Sequence, residues 1–268
     1  MNKSYSLHKI IDENICPFDA NEYSWFKFGD KQYAERFAEE LFKGFIEKYG
    51  DSLLTEKEIV ILPSPYLSIP TASNFLCFYF KKCLNSFLFS NNKKASVESK
   101  IFRNQTYVTD YGNLSFDERV KLIANDTYYI DRNFINNKLC IFVDDIKITG
   151  SHEHTVNKIL EQYNVNGDFV FVYFAELVNK EIHPKIENYY NYFAVKGVED
   201  IVNVVNRTNF QYNTRVIKFI LNLDKERFSI LVNNISIEKR DELFHLAISN
   251  NYHQIIEYQN NIDTIKNI

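Results

Sequence analysis

Three apolar runs, each too short for a helix of ordinary length, punctuate the chain at residues 59–62, 139–143 and 169–175. Unbroken runs of this size are what strands buried on both faces look like, as in a parallel sheet. Between and before them the apolar positions recur at helical spacing. Tyr33, Phe37, Leu41, Phe42 and Phe45 form one stripe, with Asp30 placed to cap it, and Phe75, Leu76, Tyr79, Phe80, Cys83, Leu84 and Phe87 form another that starts from Thr71. Val156, Ile159 and Leu160 predict a helix over 154–163, which turns the last two runs into a βαβ crossover, expected to be right-handed. Residues 1–17 read as polar and irregular. Residues 91–111 read as a mobile polar loop, and Ser115 with Glu118 reads as a capping box opening a short helix. Beyond His183-Pro184 the character changes: 199–205, 213–223, 226–233 and 238–249 carry helical patterns with no competing strand signal. Phe210, Tyr212, Phe219, Phe228, Leu231, Phe244 and Leu246 there need burial, so this region should pack on the core. The expected division is an N-terminal hood segment with the first helix at 1–50, a core at 51–182 and a helical region at 183–268.

The run 139–143 leads straight into Asp144 and Asp145, then Ile146, Lys147 and Ile148, then Thr149, Gly150 and Ser151, and the helical pattern follows. In open parallel sheets ligands bind outside the carboxyl ends of the strands, where a following helix N-terminus offers unpaired N–H groups and partial positive charge. A phosphate belongs in the 146–151 loop. Gly150 admits close backbone approach, and the Thr149 and Ser151 hydroxyls can donate to its oxygens. Two carboxylates would repel that phosphate, so they suit ribose hydroxyls or a hydrated divalent cation nearby. A sugar 5-phosphate with free 2- and 3-hydroxyls meets both halves of the motif. The plainer reading is a Rossmann-like strand ending in an ordinary turn.

This strand, acidic pair and Thr-Gly-Ser loop resemble the type I phosphoribosyltransferases, whose signature binds 5-phosphoribosyl-1-pyrophosphate (PRPP). Lys147 stands where that family has a small or apolar residue and His152 where it often has Thr, and neither change removes a backbone donor. The resemblance implies an α/β fold: a mostly parallel twisted sheet of the type I phosphoribosyltransferase kind with a helical C-terminal appendage. It implies catalytic roles for Asp144 and Asp145, and 5-phosphate binding by Ile146, Lys147, Ile148, Thr149, Gly150 and Ser151. Such enzymes hold pyrophosphate in a loop after an early strand, and Ser64, Pro65, Tyr66, Leu67 and Ser68 look like that loop, although a proline-rich surface turn reads equally well. An Arg, a polar linker and the Leu-Ser-x-x-x-Arg segment at 114–119 are similar to the ComF-like phosphoribosyltransferases, which implies that Arg103 and Arg119 lie nearest the pyrophosphate. Residues 124–128 depart from that family's pattern. Trp25, Lys27 and Phe174 are candidates for contact with a base, the alternative for Lys27 being a solvated amine above packed rings. Together with the helical tail, the segments 23–30, 64–66 and 144–153 are similar to phosphoribosyltransferase-like proteins encoded with bacterial tellurium-resistance and stress genes.

Composition narrows the picture further. A hydrophobic content of 45% over 268 residues suffices for a sizeable core, and the aromatics are dominated by 23 Phe and 18 Tyr. The net charge of −4 gives no basic footprint for duplex nucleic acid. No apolar stretch has the length of a signal peptide or membrane span, so a cytoplasmic protein with no membrane contact is expected. Cys16, Cys77, Cys83 and Cys140 lack paired zinc spacing and read as reduced thiols. His152-Glu-His154 places its two histidines on different helix faces, unlike the i, i+4 zinc-protease pattern. The chain has no Walker loop, no Gly-x-Gly-x-x-Gly and only 7 glycines, which concentrates attention on Gly150. The expected partners are PRPP with Mg²⁺ and a nucleobase or similar acceptor, with a homodimer left open. Two other classes stay open: a non-catalytic sensor of PRPP or nucleotide supply, and a hydrolase that uses the aspartate pair.

Overall fold

The computed structural model describes residues 3–54, 57–103, 117 and 128–267. Strands β1 (Lys3–Ile10), β2 (Ile59–Pro63), β3 (Val97–Glu98), β6 (Lys138–Lys147) and β7 (Gly167–Leu177) form one sheet in the order β1-β7-β6-β2-β3, every neighbouring pair parallel. Strands β4 (Phe102–Arg103) and β5 (Tyr128–Tyr129) make a small antiparallel pair beside it. Helices α1 (Ala20–Lys27), α2 (Lys31–Leu53) and α3 (Ala72–Ser90) cover one face of the sheet, and α5 (Ser151–Gln162) covers the other; α4 (Arg132–Ile135) is a single turn before β6. The rest is helical: α6 (Ile186–Asn191), α7 (Val198–Val205), α8 (Thr214–Leu221), α9 (Lys225–Asn233), α10 (Ile237–Ser249) and α11 (Ile256–Lys266).

The pleat explains the layers. Along β6, Leu139, Ile141 and Val143 face the core under α2 and α3, while Cys140 and Phe142 face the core under α5, so each residue of the run is buried by one layer or the other. A third core gathers the C-terminal helices around Val216, Ile217, Ile220 and Leu243, and takes in Phe28 and Ile69 from the sheet-bearing part. The turn between α1 and α2 is clipped to that region. Gln211 donates its N–H to the Gly29 carbonyl at 2.9 Å, Lys31 donates to Asn209 at 3.0 Å, and Arg207 reaches the Asp30 carboxylate at 2.8 Å. Gly29 sits at φ +92°, and a Cβ there would lie 2.3 Å from the Gln211 carbonyl oxygen, so backbone angle and close approach both demand glycine.

Two expectations about elements are corrected. Residues 1–17 are not irregular throughout, since Lys3–Ile10 is the edge strand β1. Its alternation is masked because Ser6, not an apolar residue, is buried, with its hydroxyl donating to Glu176 at 2.6 Å. The central strand also does not stop at the acidic pair: β6 runs on through Asp144 and Asp145 to Lys147, paired with β7 to the end. On its other side β2 ends with Pro63 opposite Val143. Beyond that point no strand among the described residues flanks β6 on that side, and a crevice opens where the acids are. The Ser115–Glu118 capping box and Arg119 lie outside the described residues.

The connections make that crevice a switch point. From β2 the chain moves by α3 to β3, towards one edge of the sheet; from β6 it moves by α5 to β7, towards the other, with the two helices on opposite faces. Adjacent strands whose crossovers diverge leave a gap at their carboxyl ends, which is where ligands bind in such sheets.

Candidate functional site

The gap is a cavity of about 590 Å³. One wall is the carboxyl edge of β2 and β6: Ser64 and Pro65, Asp144 and Asp145, and the loop from Ile146 to Ser151. Gly150 is the N-cap of α5 at φ +76°, a left-handed conformation that glycine adopts without strain, and a Cβ there would meet only the Lys147 side chain, at 3.7 Å. The backbone at the start of α5 is therefore open to the cavity. Thr149 donates its hydroxyl to the Ser151 hydroxyl at 3.0 Å, which holds the loop in a tight turn. The positive end of the α5 dipole, at Ser151 and His152, faces the same space.

The two aspartates stand in different environments. The Asp144 side chain is 15% exposed and accepts from the Ser64 hydroxyl at 2.7 Å, and His152 Nδ1 lies 2.7 Å from its other oxygen. Burial works against its charge, but the His152 imidazolium, the Ser64 hydroxyl and more distant Lys27 outweigh it and hold the carboxyl well below the usual range. The same pairing, against the effect of burial, raises the His152 pKa above its ordinary value. Asp145 points the other way along the pleat and is buried, its carboxylate engaged by the Lys27 ammonium and the Tyr23 hydroxyl. Burial first, and the Asp144 charge after it, push the Asp145 pKa up against the pull of Lys27. Lys27 is in turn fixed by the tail, because Asn213 at the start of α8 donates to its carbonyl at 3.1 Å.

The structure brings many of the sequence candidates together and sets others apart. Asp144, Asp145, Ile146, Lys147, Ile148, Thr149, Gly150, Ser151, Ser64, Pro65, Arg103 and Lys27 all line the cavity. The Lys147 ammonium, however, is bound by Glu153 at 2.7 Å and lies 3.6 Å from Glu176, so its charge is spent beside the loop. Tyr66, Leu67 and Ser68 turn away from the cavity. Lys100 sits over the Tyr66 ring at 3.4 Å and donates to the Leu67 carbonyl at 2.9 Å, while the Ser68 N–H donates to Asn250 Oδ1 at 3.1 Å. An anion cannot take a backbone donor already used this way. Thr71, Ala72 and Ser73 at the start of α3 line the cavity in their place. Phe174 is buried in the core with its ring stacked on Phe37 at 4.4 Å, because it projects from the α2 face of β7 and not from the carboxyl edge. Trp25 packs with the C-terminal core under the Arg207 guanidinium, 4.5 Å from its ring centre, and does not line the cavity. Neither ring is placed to meet a base.

The sequence only hints at the second wall: Arg207 and Arg215 could reach a ligand but read first as surface or structural cations, and of the two Arg215 lines the cavity. That wall is built by the C-terminal region, with Tyr192 and Lys196 before α7, Arg215, Lys218, Phe219 and Asn222 on and just after α8, and Arg227 on α9. A signal existed: Arg215, Lys218 and Asn222 are spaced i, i+3, i+7 opposite a continuous apolar face, but nothing in the sequence says what that polar face meets.

Among the described residues no three His, Cys, Asp or Glu side chains converge as a metal-binding group. No described helix is long and apolar enough to cross a membrane.

Among solved structures the chain is similar to adenine phosphoribosyltransferase from Saccharomyces cerevisiae, solved with an imino-altritol bisphosphate and adenine, at 16% identity, covering 52% of this chain and 69% of that one with a TM-score of 0.32. It is also similar to a hypoxanthine phosphoribosyltransferase from Staphylococcus aureus at 13% identity, covering 57% of this chain and 76% of that one with a TM-score of 0.31. Comparison with curated proteins finds no match. A sequence model of the family described as PRTase ComF-like matches residues 1–265, nearly the whole chain, helical tail included. The chain belongs to the ComF-like phosphoribosyltransferase family.

Proposed function

We propose that the cavity binds Mg²⁺-PRPP and that the protein transfers its phosphoribosyl group to a nitrogen nucleophile, with a nucleobase the first candidate. One observation carries this reading. The aspartate pair and the glycine-started helix face a single cavity at the place in the sheet where the crossovers after β2 and β6 diverge. On this reading the 5-phosphate rests on the 148–151 loop and the start of α5, the ribose hydroxyls lie against Asp144, and the leaving pyrophosphate lies towards Ser64 and the start of α3. The C1–O bond to pyrophosphate breaks with its electron pair going to oxygen, the acceptor nitrogen forms the C1–N bond, and the nitrogen's proton passes to water. Positive charge grows on the ring meanwhile, and an ionised Asp144 beside it favours that state. The donor set fits a cation carried on phosphate oxygens and water, with Asp144 and the Ser64 hydroxyl as its protein contacts, and when bound Mg²⁺ supplies charge neutralisation to the leaving group.

A second reading is favoured by one particular contact. Asp145 is committed to Lys27 and Tyr23, so it accepts a ribose hydroxyl only by giving up part of a buried ion pair. A protein that binds PRPP without turning it over, as a sensor of nucleotide supply, would tolerate such a locked acid. Titration calorimetry of Mg²⁺-PRPP against the wild type and Asp144→Asn tests the site. Loss of one charge-assisted contact should weaken binding about tenfold, and equal affinity would remove Asp144 from the site. A pyrophosphate-release assay across the common bases separates the two readings, because binding without release favours the sensor.

A further inference from the structure

The second wall of the cavity has no counterpart in the acidic-pair motif, and its chemistry differs from that of the first. In a chain of net charge −4, the described cavity lining carries seven Lys and Arg side chains against four Asp and Glu. On the sheet side the charges largely cancel: Asp145 pairs with Lys27, Asp144 with His152, and Glu153 with Lys147. The excess falls on the C-terminal side, where Lys196, Arg215, Lys218 and Arg227 face Glu187 as the acid of that wall.

The placement is built into the helix. Val216, Ile217, Ile220 and Leu221 of α8 are fully buried in the third core, which fixes the rotation of the helix and points the 215, 218 and 222 positions at the cavity. Rings stand beside the cations. Phe219 and Tyr192 lie 6.2 Å apart, and the Arg215 guanidinium lies 5.4 Å over Tyr192. Cationic groups beside flat apolar surface match a planar ring that bears an anionic substituent. The α8 wall also abuts the reacting centre, since Asn213 holds Lys27 and Lys27 holds Asp145. The leaving group has other hosts in Ser64 and the start of α3.

We propose that the α8 wall is the acceptor subsite and that the acceptor is a planar nitrogen heterocycle carrying a carboxylate or phosphate, gripped by Arg215 and Lys218. This rests on the phosphoribosyl-transfer reading and adds the chemical class of the second substrate.

The test uses the full chain and matched probes that differ in one anionic group on the ring: orotate against uracil, and nicotinate against nicotinamide. Each is titrated calorimetrically into wild type, Lys218→Gln and Arg215→Gln/Lys218→Gln in the presence of saturating Mg²⁺-PRPP or, if turnover intervenes, Mg²⁺-pyrophosphate. The single variant, at a half-exposed position, keeps the test alive should the double variant unfold. Wild type should prefer at least one anionic member over its neutral parent about tenfold or more, and the variants should lose that preference while PRPP affinity stays within about twofold. No anionic preference in the wild type, or a preference that survives in the variants, overturns the proposal. A loss of PRPP affinity in the variants with acceptor preference intact also overturns it, and makes α8 part of the pyrophosphate site. Failure of the wild type to bind PRPP at all would instead remove the underlying transfer reading, and is seen in the separate PRPP titration.

Discussion

Asp145 keeps its carboxylate where water scarcely reaches, and only the Lys27 ammonium and the Tyr23 hydroxyl make that tolerable. Such a pair contributes little compared with an apolar pair of the same shape, but breaking it strands a charge. Lys27→Met should therefore cost ~3–5 kcal/mol in urea unfolding, and Lys27→Met/Asp145→Leu should recover most of that loss; a single variant as stable as the wild type would show that the pair is not desolvated. The His152–Asp144 pair behaves differently with pH. His152, with a raised folded pKa, stabilises fully below its ordinary 6.5 and loses that contribution as pH rises through the folded value. Asp144, with a lowered folded pKa, stabilises above its ordinary 3.8 and loses its contribution as pH falls through the folded value. The pair contributes most between these two, so the thermal penalty of His152→Gln should be larger near about pH 5.5 than near about pH 9. A penalty independent of pH would mean that His152 serves by packing alone.

At the scale of elements, the clip between the α1–α2 turn and residues 209–211 leaves no room for a side chain at 29. Gly29→Ala must move the Gln211 carbonyl or abandon the turn, and should cost more than the ~1 kcal/mol of an ordinary glycine substitution at positive φ; a melting temperature unchanged from wild type would refute the clip. The same elements show what the sequence can and cannot say. The strands β2, β6 and β7 were legible because each is buried on both faces and so carries an unbroken apolar run. The C-terminal helices were legible from their apolar stripes, except for α6 and α11, whose patterns are diluted by Asn and Glu. Strand β1 was hidden because Tyr5 and Leu7, which face α2, are only partly buried, while the buried position between them is Ser6. The loop after β2 reads as a pyrophosphate loop only through the resemblance carried by the acidic-pair motif; on its own prolines and serines a surface turn reads equally well. That Ser68 spends its N–H on Asn250 depends on a contact across 182 residues, which no local pattern records. The motif at Asp144 to Ser151 was legible because its chemistry is contiguous, and the α8 wall was not because its chemistry is assembled by packing.

For the molecule as a whole, the division at residue 183 marks a change of secondary structure more than a free-standing boundary. Phe28 and Ile69 are buried in the C-terminal core, and the carbonyls of Ile69 and Pro70 accept from the Thr214 hydroxyl at 2.8 and 3.1 Å. A chain cut at about residue 184 would expose both apolar residues and leave those acceptors unpaired, so it should lose cooperative unfolding, as followed by circular dichroism against urea. A fragment with the wild-type midpoint would show that the sheet-bearing part stands alone. Because the two sides of the cavity are rooted in different hydrophobic cores, a molecule lodged between them acts as a cross-brace. Its binding energy would be shared by both, so amide protons of α8 to α11, many of them beyond reach of the ligand, should exchange with deuterium more slowly once it is seated.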